Sequence, residues 1–174
     1  MPKIRLYCRV STEDQNVEQQ AEYLENWVGR LPVDEITKEP WTIEKIVKDE
    51  ESARIPLMER KKFLKTLEES KLGTMFDALG ILKLDRLTRN WDDVAAVERH
   101  FRANWERCKL KSAMDGEVNL STAPGRCSFR FFMVINCFEV ENMMERQKIG
   151  IDRAKDEGKY KGGKKGRRWA KPAN

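Results

Sequence analysis

The residues with the clearest chemical potential are Ser11 and four arginines, Arg9, Arg60, Arg86 and Arg89. A hydroxyl among guanidinium groups is a nucleophile facing an anion, because arginine's planar fork meets phosphate or carboxylate oxygens in pairs and keeps its proton. Ser11 closes the stretch Leu6-Tyr7-Cys8-Arg9-Val10-Ser11. Ile4, Leu6 and Cys8 alternate with Lys3, Arg5 and Tyr7, which is the period of a strand, and Ser11-Thr12-Glu13-Asp14 has the form of a helix start. Ser11 is therefore expected where a strand stops and a helix begins, the place where open α/β sheets gather their chemistry. The same Ser-Thr pair also serves as an ordinary helix cap. The single histidine, His100, is expected on the surface of a helix, and a Ser-His-Asp hydrolase built on it has no supporting motif. A nucleophilic Ser11 without a histidine base points away from acyl transfer and towards a substrate whose own charge needs balancing.

The elements that must position these groups follow from periodicity. A helix over 13–30 carries Val17, Ala21, Leu24, Trp27 and Val28 at helical spacing, and Gln20 falls on that inward side, where a polar group needs a partner. Residues 31–43, with Pro32 and Pro40, read as a loop. A strand over 44–48 leads into Asp49-Glu50-Glu51-Ser52-Ala53, which is either a solvated acidic turn or part of a site. A helix over 57–70 has its stripe at Leu57, Phe63, Leu64 and Leu67. Arg60 projects from the edge of that stripe and either snorkels to water or meets an anion near the core. The run from Ala78 to Leu84 is apolar with little alternation, which suits a central strand covered on both faces. It continues into Asp85-Arg86-Leu87-Thr88-Arg89. Arg86 and Arg89 share a face if a helical turn begins there; an ion-paired helix start, Asp85 with Arg89, is the alternative. A helix over 91–104, with Trp91, Val94, Val97 and Phe101 inward, precedes a fourth strand over 107–113.

Residues 127–156 read as one long helix, roughly 45 Å at 1.5 Å per residue. Phe131, Phe132, Val134, Ile135, Phe138, Met143 and Met144 make its first half apolar on more than one side, so a partner helix is expected. The fold class expected is α/β, a mainly parallel four- to five-stranded sheet flanked by helices, with a long C-terminal oligomerisation helix. The expected divisions are 1–126, 127–157 and 158–174.

Charge separates the last segment from the rest. The net charge of +5 is an average over unlike parts. From Gly158 onward there are seven basic residues, including Lys159, Lys161, Lys164, Lys165, Arg167 and Arg168, and no acid, which leaves residues 1–157 at −2. Such a tail suits a phosphate-binding arm, a localisation signal or a solubilising end. Mean hydropathy is −0.72 and no apolar run reaches membrane-spanning length, so a soluble, cytoplasmic protein is expected. Cys8, Cys108, Cys127 and Cys137 have no Cys-x-x-Cys spacing; all four are expected as reduced core thiols, with no metal site and no cofactor.

Two motifs carry a family likeness. Tyr7 to Thr12 with Gln15, and the strand followed by Asp85-Arg86-Leu87-Thr88-Arg89, resemble the resolvase/invertase family of serine site-specific recombinases. The likeness extends from Pro2 to Arg168. It implies that Ser11 attacks a DNA phosphate and forms a phosphoserine link, with Arg9, Arg60, Arg86 and Arg89 around the phosphate. It also implies that Asp85 orients the arginines and assists proton transfer, and that Tyr7, Gln20, Asp49 and Glu139 support the site. The partners implied are double-stranded DNA and further copies of the chain, a homodimer and tetramer through the helix at 127–157, in association with the nucleoid. The basic tail would be a minor-groove arm. Three departures stand out: Ala53 replaces a glycine, Arg60 is not followed by Pro-Gly, and Val140 replaces an arginine. Six residues after Arg168 are too few for a helix-turn-helix, so a separate DNA-reading protein, or a longer parent chain, is expected. A non-catalytic or truncated DNA-associated oligomerising protein with the same fold is the alternative.

Overall fold

The computed structural model describes residues 1–9, 17–51, 55–84, 87, 88 and 90–159. Its strands are β1 (Lys3–Arg9), β2 (Thr42–Asp49), β3 (Ala78–Ile81), β4 (Lys109–Ser112) and β5 (Gly116–Glu117). Its helices are α1 (Val17–Val28), α2 (Lys61–Leu72), α3 (Trp91–Asn104) and α4 (Ala123–Asp156), with a 3-10 turn at Leu57–Glu59. The strands form one sheet in the order β2-β1-β3-β4-β5, parallel except for the antiparallel β5 at the edge. This is the α/β class read from the alternation of strand and helix patterns.

β1 lies inside the sheet, and its alternating side chains divide the core. Ile4, Leu6 and Cys8 pack with Ala21, Leu24, Val28 and Trp41. Tyr7 faces the other way, into a larger cluster with Phe63, Leu67, Val97, Phe101 and Phe129. Each leucine, isoleucine, valine or phenylalanine among them contributes about 1.5–3 kcal/mol on burial. Gly80 permits a close approach within the core: a Cβ there would lie 2.7 Å from Leu6 Cδ2 and 3.2 Å from Trp27 Cζ3. Arg5 is also buried on β1, held by Glu44 and Glu69 and stacked 4.2 Å over the Phe76 ring.

Several boundaries differ from the sequence expectation, each for a local reason. β2 begins at Thr42, because Thr42 N–H donates to Pro2 O at 3.0 Å and Trp41 is buried beneath Lys111. The expected helix over 57–70 is broken at Arg60, whose backbone is extended between the 3-10 turn and α2. β3 is shorter than the apolar run, ending at Ile81 although Leu84 is still core. α4 starts at Ala123 rather than at Cys127: Thr122 Oγ1 accepts from Gly125 N–H at 3.2 Å, a cap, and Pro124 sits in the first turn. Trp91 is exposed rather than core, at the first position of α3 behind the Asn90 cap. Cys127 is exposed; Cys8, Cys108 and Cys137 are buried. Burial pushes the Cys8 thiol up to about 11 and the Cys108 thiol up to about 12.

The chain comprises two compact units, Met1–Cys137 and Phe138–Asn174. In the first, α4 buries Phe129, Met133 and Cys137 and leaves Phe131, Phe132, Val134 and Ile135 exposed. In the second, Phe138, Met143, Met144 and Ile149 are exposed. Among the described residues no helix is long and apolar enough to cross a membrane.

His100 is half-buried rather than on the surface, with Nε2 2.7 Å from Ser70 Oγ. Burial, then the charge of Lys71, holds its imidazole below the usual range. The unfolded chain therefore takes up the proton first as the pH falls. The stability His100 contributes is complete above about pH 6.5 and is lost as the pH drops below that. The urea midpoint of the wild type should fall more steeply from about pH 7 to about pH 5 than that of His100→Gln. Equal slopes would remove His100 from the acid side of the stability profile.

Candidate functional site

β1 pairs in parallel with β2 on one side and β3 on the other, so the strand order reverses at β1. In a parallel sheet that reversal opens a crevice at the carboxyl ends of the strands, where α/β proteins bind ligands. The last residue of β1, Arg9, is in register with the last of β2, Asp49.

Asp49 is not a solvated turn residue. It is fully buried and is the hub of a charged network. Tyr7 Oη donates to its Oδ2, and Arg60 Nη1 donates to the same oxygen at 3.3 Å. Glu51 N–H donates to Oδ1 at 3.0 Å. Arg60 is likewise fully buried rather than projecting from a helix edge. Its Nη1 donates to Glu51 O and its Nε to Ile55 O, each at 3.2 Å. The break before α2 makes this possible, because an extended residue 60 turns its side chain under the sheet end. A buried ion pair is tolerated when further hydrogen bonds support both partners, and here each partner has them: Tyr7 and Glu51 N–H on Asp49, and the carbonyls of Glu51 and Ile55 on Arg60. The Tyr7 ring packs edge-on against Phe63 at 5.1 Å. Burial, and then the Asp49 carboxylate, push the Tyr7 phenol up, so it stays a neutral donor.

Arg9 reaches across to the segment after β3, its Nη1 donating to Leu87 O at 3.4 Å. Tyr7, Arg9, Gln20, Ile81, Leu82 and Leu87 line a recess at this point. Gln20 is 8% exposed, and its Oε1 has no hydrogen-bond partner among the described residues. Of the predicted site residues, Tyr7, Arg9, Gln20, Asp49 and Arg60 thus cluster at the carboxyl end of β1. Ser11, Asp85, Arg86 and Arg89 lie outside the described residues, as do Lys161, Lys164, Lys165, Arg167 and Arg168 of the tail. Lys159 is described and pairs with Glu157 at 2.8 Å. Glu139 is exposed in the second unit. Among the described residues no group of histidine, cysteine, aspartate or glutamate side chains is arranged to hold a metal ion.

Sequence reasoning missed Asp93. It is 3% exposed on α3 and accepts from Leu57 N–H at 2.7 Å, Met58 N–H at 3.1 Å and Thr88 Oγ1 at 2.8 Å. An acid in the first turn of a helix reads as a dipole partner, and that reading hides any tertiary role.

A mostly parallel α/β sheet with buried charged and polar groups gathered at its switch point defines an α/β domain of the open-sheet class. The chain belongs to the family described as "Resolvase, N terminal domain", whose model matches residues 4–160. It is 29% identical over 159 residues to the transposon Tn2501 resolvase of Escherichia coli, covering 91% of this chain and 74% of that protein. It is 28% identical, over the same shares, to the serine recombinase PinR of Escherichia coli (strain K12). A crystal structure of a resolvase family site-specific recombinase from Streptococcus pneumoniae is similar at TM-score 0.49 and 19% identity, covering 88% of this chain and 99% of that one.

Proposed function

We propose that this chain is a site-specific DNA recombinase that cuts and rejoins DNA through a phosphoserine link to Ser11. Membership of the resolvase family supports this reading. The observation that carries it is the Tyr7–Asp49–Arg60 network beside Arg9 at the end of β1, two residues in sequence before Ser11.

A phosphodiester repels nucleophiles, and its pentacoordinate transition state concentrates charge on the non-bridging oxygens. Fixed guanidinium groups oppose that charge without reorganising during the reaction. Arg9, Arg60, Arg86 and Arg89 supply them. The Ser11 hydroxyl loses its proton as its oxygen bonds to phosphorus. The bond from phosphorus to a deoxyribose oxygen breaks, and that oxygen leaves as a hydroxyl after gaining a proton, with Asp85 assisting the transfer. The phosphoserine ester keeps the energy of the broken bond, so rejoining reverses the step with no nucleotide cofactor. Asp49 fixes Arg60, and Tyr7 and Gln20 shape the recess. By the family likeness, Glu139 is a supporting group.

The exposed apolar side chains of α4 pair two copies into a dimer, and two dimers meet as a tetramer on two DNA sites. Lys159, Lys161, Lys164, Lys165, Arg167 and Arg168 hold the DNA backbone, and the protein works at the nucleoid.

The test is a covalent trap. On a nicked duplex, whose cut strand diffuses away, the wild type should leave a denaturant-resistant protein–DNA adduct. Ser11→Ala should leave none. An adduct that survives Ser11→Ala would assign the link to another nucleophile and overturn the role of Ser11; no wild-type adduct under any condition would favour a non-catalytic DNA-associated oligomer instead.

A further inference from the structure

We propose that Asp93 is a positioning residue that locks the segment carrying Arg60 to the segment carrying the second arginine motif. This rests on the reading of the site given above. The two segments are far apart in sequence and are not strand neighbours. Leu57 and Met58 lead directly into Arg60, and Thr88 stands between Arg86 and Arg89. Asp93 engages both at once. Its Oδ2 accepts from Leu57 N–H at 2.7 Å and from Thr88 Oγ1 at 2.8 Å, and its Oδ1 accepts from Met58 N–H at 3.1 Å.

The arrangement has the features of a clamp rather than of an ordinary helix cap. The cap of α3 is already made by Asn90, whose side chain accepts from Asp92 N–H at 2.9 Å. Asp93 directs its carboxylate to two other segments instead. Leu57 N–H and Met58 N–H open the 3-10 turn, and donors at the start of a helical turn have no internal acceptor. Arg60 N–H then donates to Leu57 O at 3.2 Å, so the backbone that Asp93 holds is the backbone that launches the Arg60 side chain. On the other side Thr88 Oγ1 also accepts from Asn90 N–H at 3.1 Å, which orients its proton towards Asp93. Asp93, Thr88 and Arg60 are all buried, so no water competes for these bonds. Burial of a carboxylate is tolerated because three donors meet it.

The consequence is a fixed placement of Thr88 relative to the backbone that leads into Arg60, and on the proposed reading both segments serve one phosphate. A displacement of about 1 Å at such a site costs on the order of 100-fold in rate. Two variants separate the arms of the clamp. Thr88→Val keeps shape and removes one arm; Asp93→Asn keeps volume and weakens both.

The experiment compares wild type, T88V, D93N and the double variant. It measures the single-turnover rate of adduct formation at saturating nicked DNA, the Kd for that DNA, and the NMR resonance of the buried Arg60 Nε–H. The clamp predicts that each single variant cuts about 10- to 100-fold more slowly with Kd unchanged. It predicts that the double variant is no slower than D93N, and that the Arg60 Nε–H resonance moves in both single variants. A wild-type rate in T88V and D93N with an unmoved Arg60 resonance would overturn the clamp and leave the recombinase reading intact. If the wild type forms no adduct, the recombinase reading fails, and the Arg60 resonance alone decides whether Asp93 sets that side chain. Should D93N not fold, the rate and the Arg60 resonance of T88V decide the matter alone.

Discussion

Arg60→Ala should yield a protein that forms no phosphoserine adduct and unfolds at a much lower urea concentration than the wild type. Removing the guanidinium strands Asp49, which is fully buried and, among the described residues, would keep the Tyr7 hydroxyl and the Glu51 amide. Breaking a buried ion pair by deleting one partner costs about 3–5 kcal/mol, because the survivor is an uncompensated charge. Two carbonyls, Glu51 O and Ile55 O, lose a donor as well. Arg60→Lys restores a charge but has no fork, so it can serve Asp49 or the carbonyls and not all of them. Stability and chemistry then need to be told apart. Replacing the whole network by apolar groups, Tyr7→Phe with Asp49→Leu and Arg60→Met, removes the stranded charge. Such replacements are often close to neutral. The triple variant should regain most of the urea midpoint lost in Arg60→Ala and still form no adduct. Recovery of both would mean that Arg60 never meets the phosphate. Recovery of neither would mean that the network is needed for the sheet end to form.

Much of this architecture is legible in the chain. β1 is read from strict alternation at Ile4, Leu6 and Cys8, and α3 from the apolar period through Val94, Val97 and Phe101. Both signals are local, and no long-range contact competes with them. The Asp49 hub is not legible in the same way. Asp49-Glu50-Glu51 is a polar run, and nothing nearby reveals that a tyrosine and an arginine from two other elements meet inside it. Arg60 meets an anion near the core, one of the two outcomes expected of it, but the backbone around it is misread for a related reason. A helical period over 57–70 is present, but the backbone is extended at Arg60, which ends the 3-10 turn before α2 begins. The early start of α4 is signalled by Thr122-Ala123-Pro124-Gly125, a hydroxyl cap with proline in the first turn. Proline beside glycine reads more readily as a loop. His100 shows the limit of sidedness arguments, since a polar residue on a helix rim is buried or exposed according to what covers it, here Ser70 of α2.

The exposed side of α4 should behave as an interface whose loss separates the copies without unfolding them. Within the first unit Phe129 and Met133 are buried, whereas Phe131 is 63% exposed and Val134 and Ile135 lie beside it at helical spacing. At 100° per residue, positions 131, 134 and 135 fall on the side of the helix opposite 129 and 133. A single chain gains nothing by keeping large apolar groups there, and a facing helix would bury them. Phe131→Glu with Ile135→Glu changes groups that already meet water, so the folded monomer should be altered by no more than about 0.5 kcal/mol per site. In a symmetric dimer the same changes set carboxylates against each other in an apolar seam, a penalty of several kcal/mol and thus a rise in the dimer Kd of more than about 100-fold. Sedimentation should show a dimer becoming a monomer while the urea midpoint, compared at a concentration where both proteins are monomeric, holds. Met133→Ala is the control. It empties a buried site at a cost of about 2–5 kcal/mol and should lower the midpoint with no direct effect on the seam. If the double glutamate variant stays dimeric, α4 pairs through another face, and the apolar side at 131–135 has a different occupant.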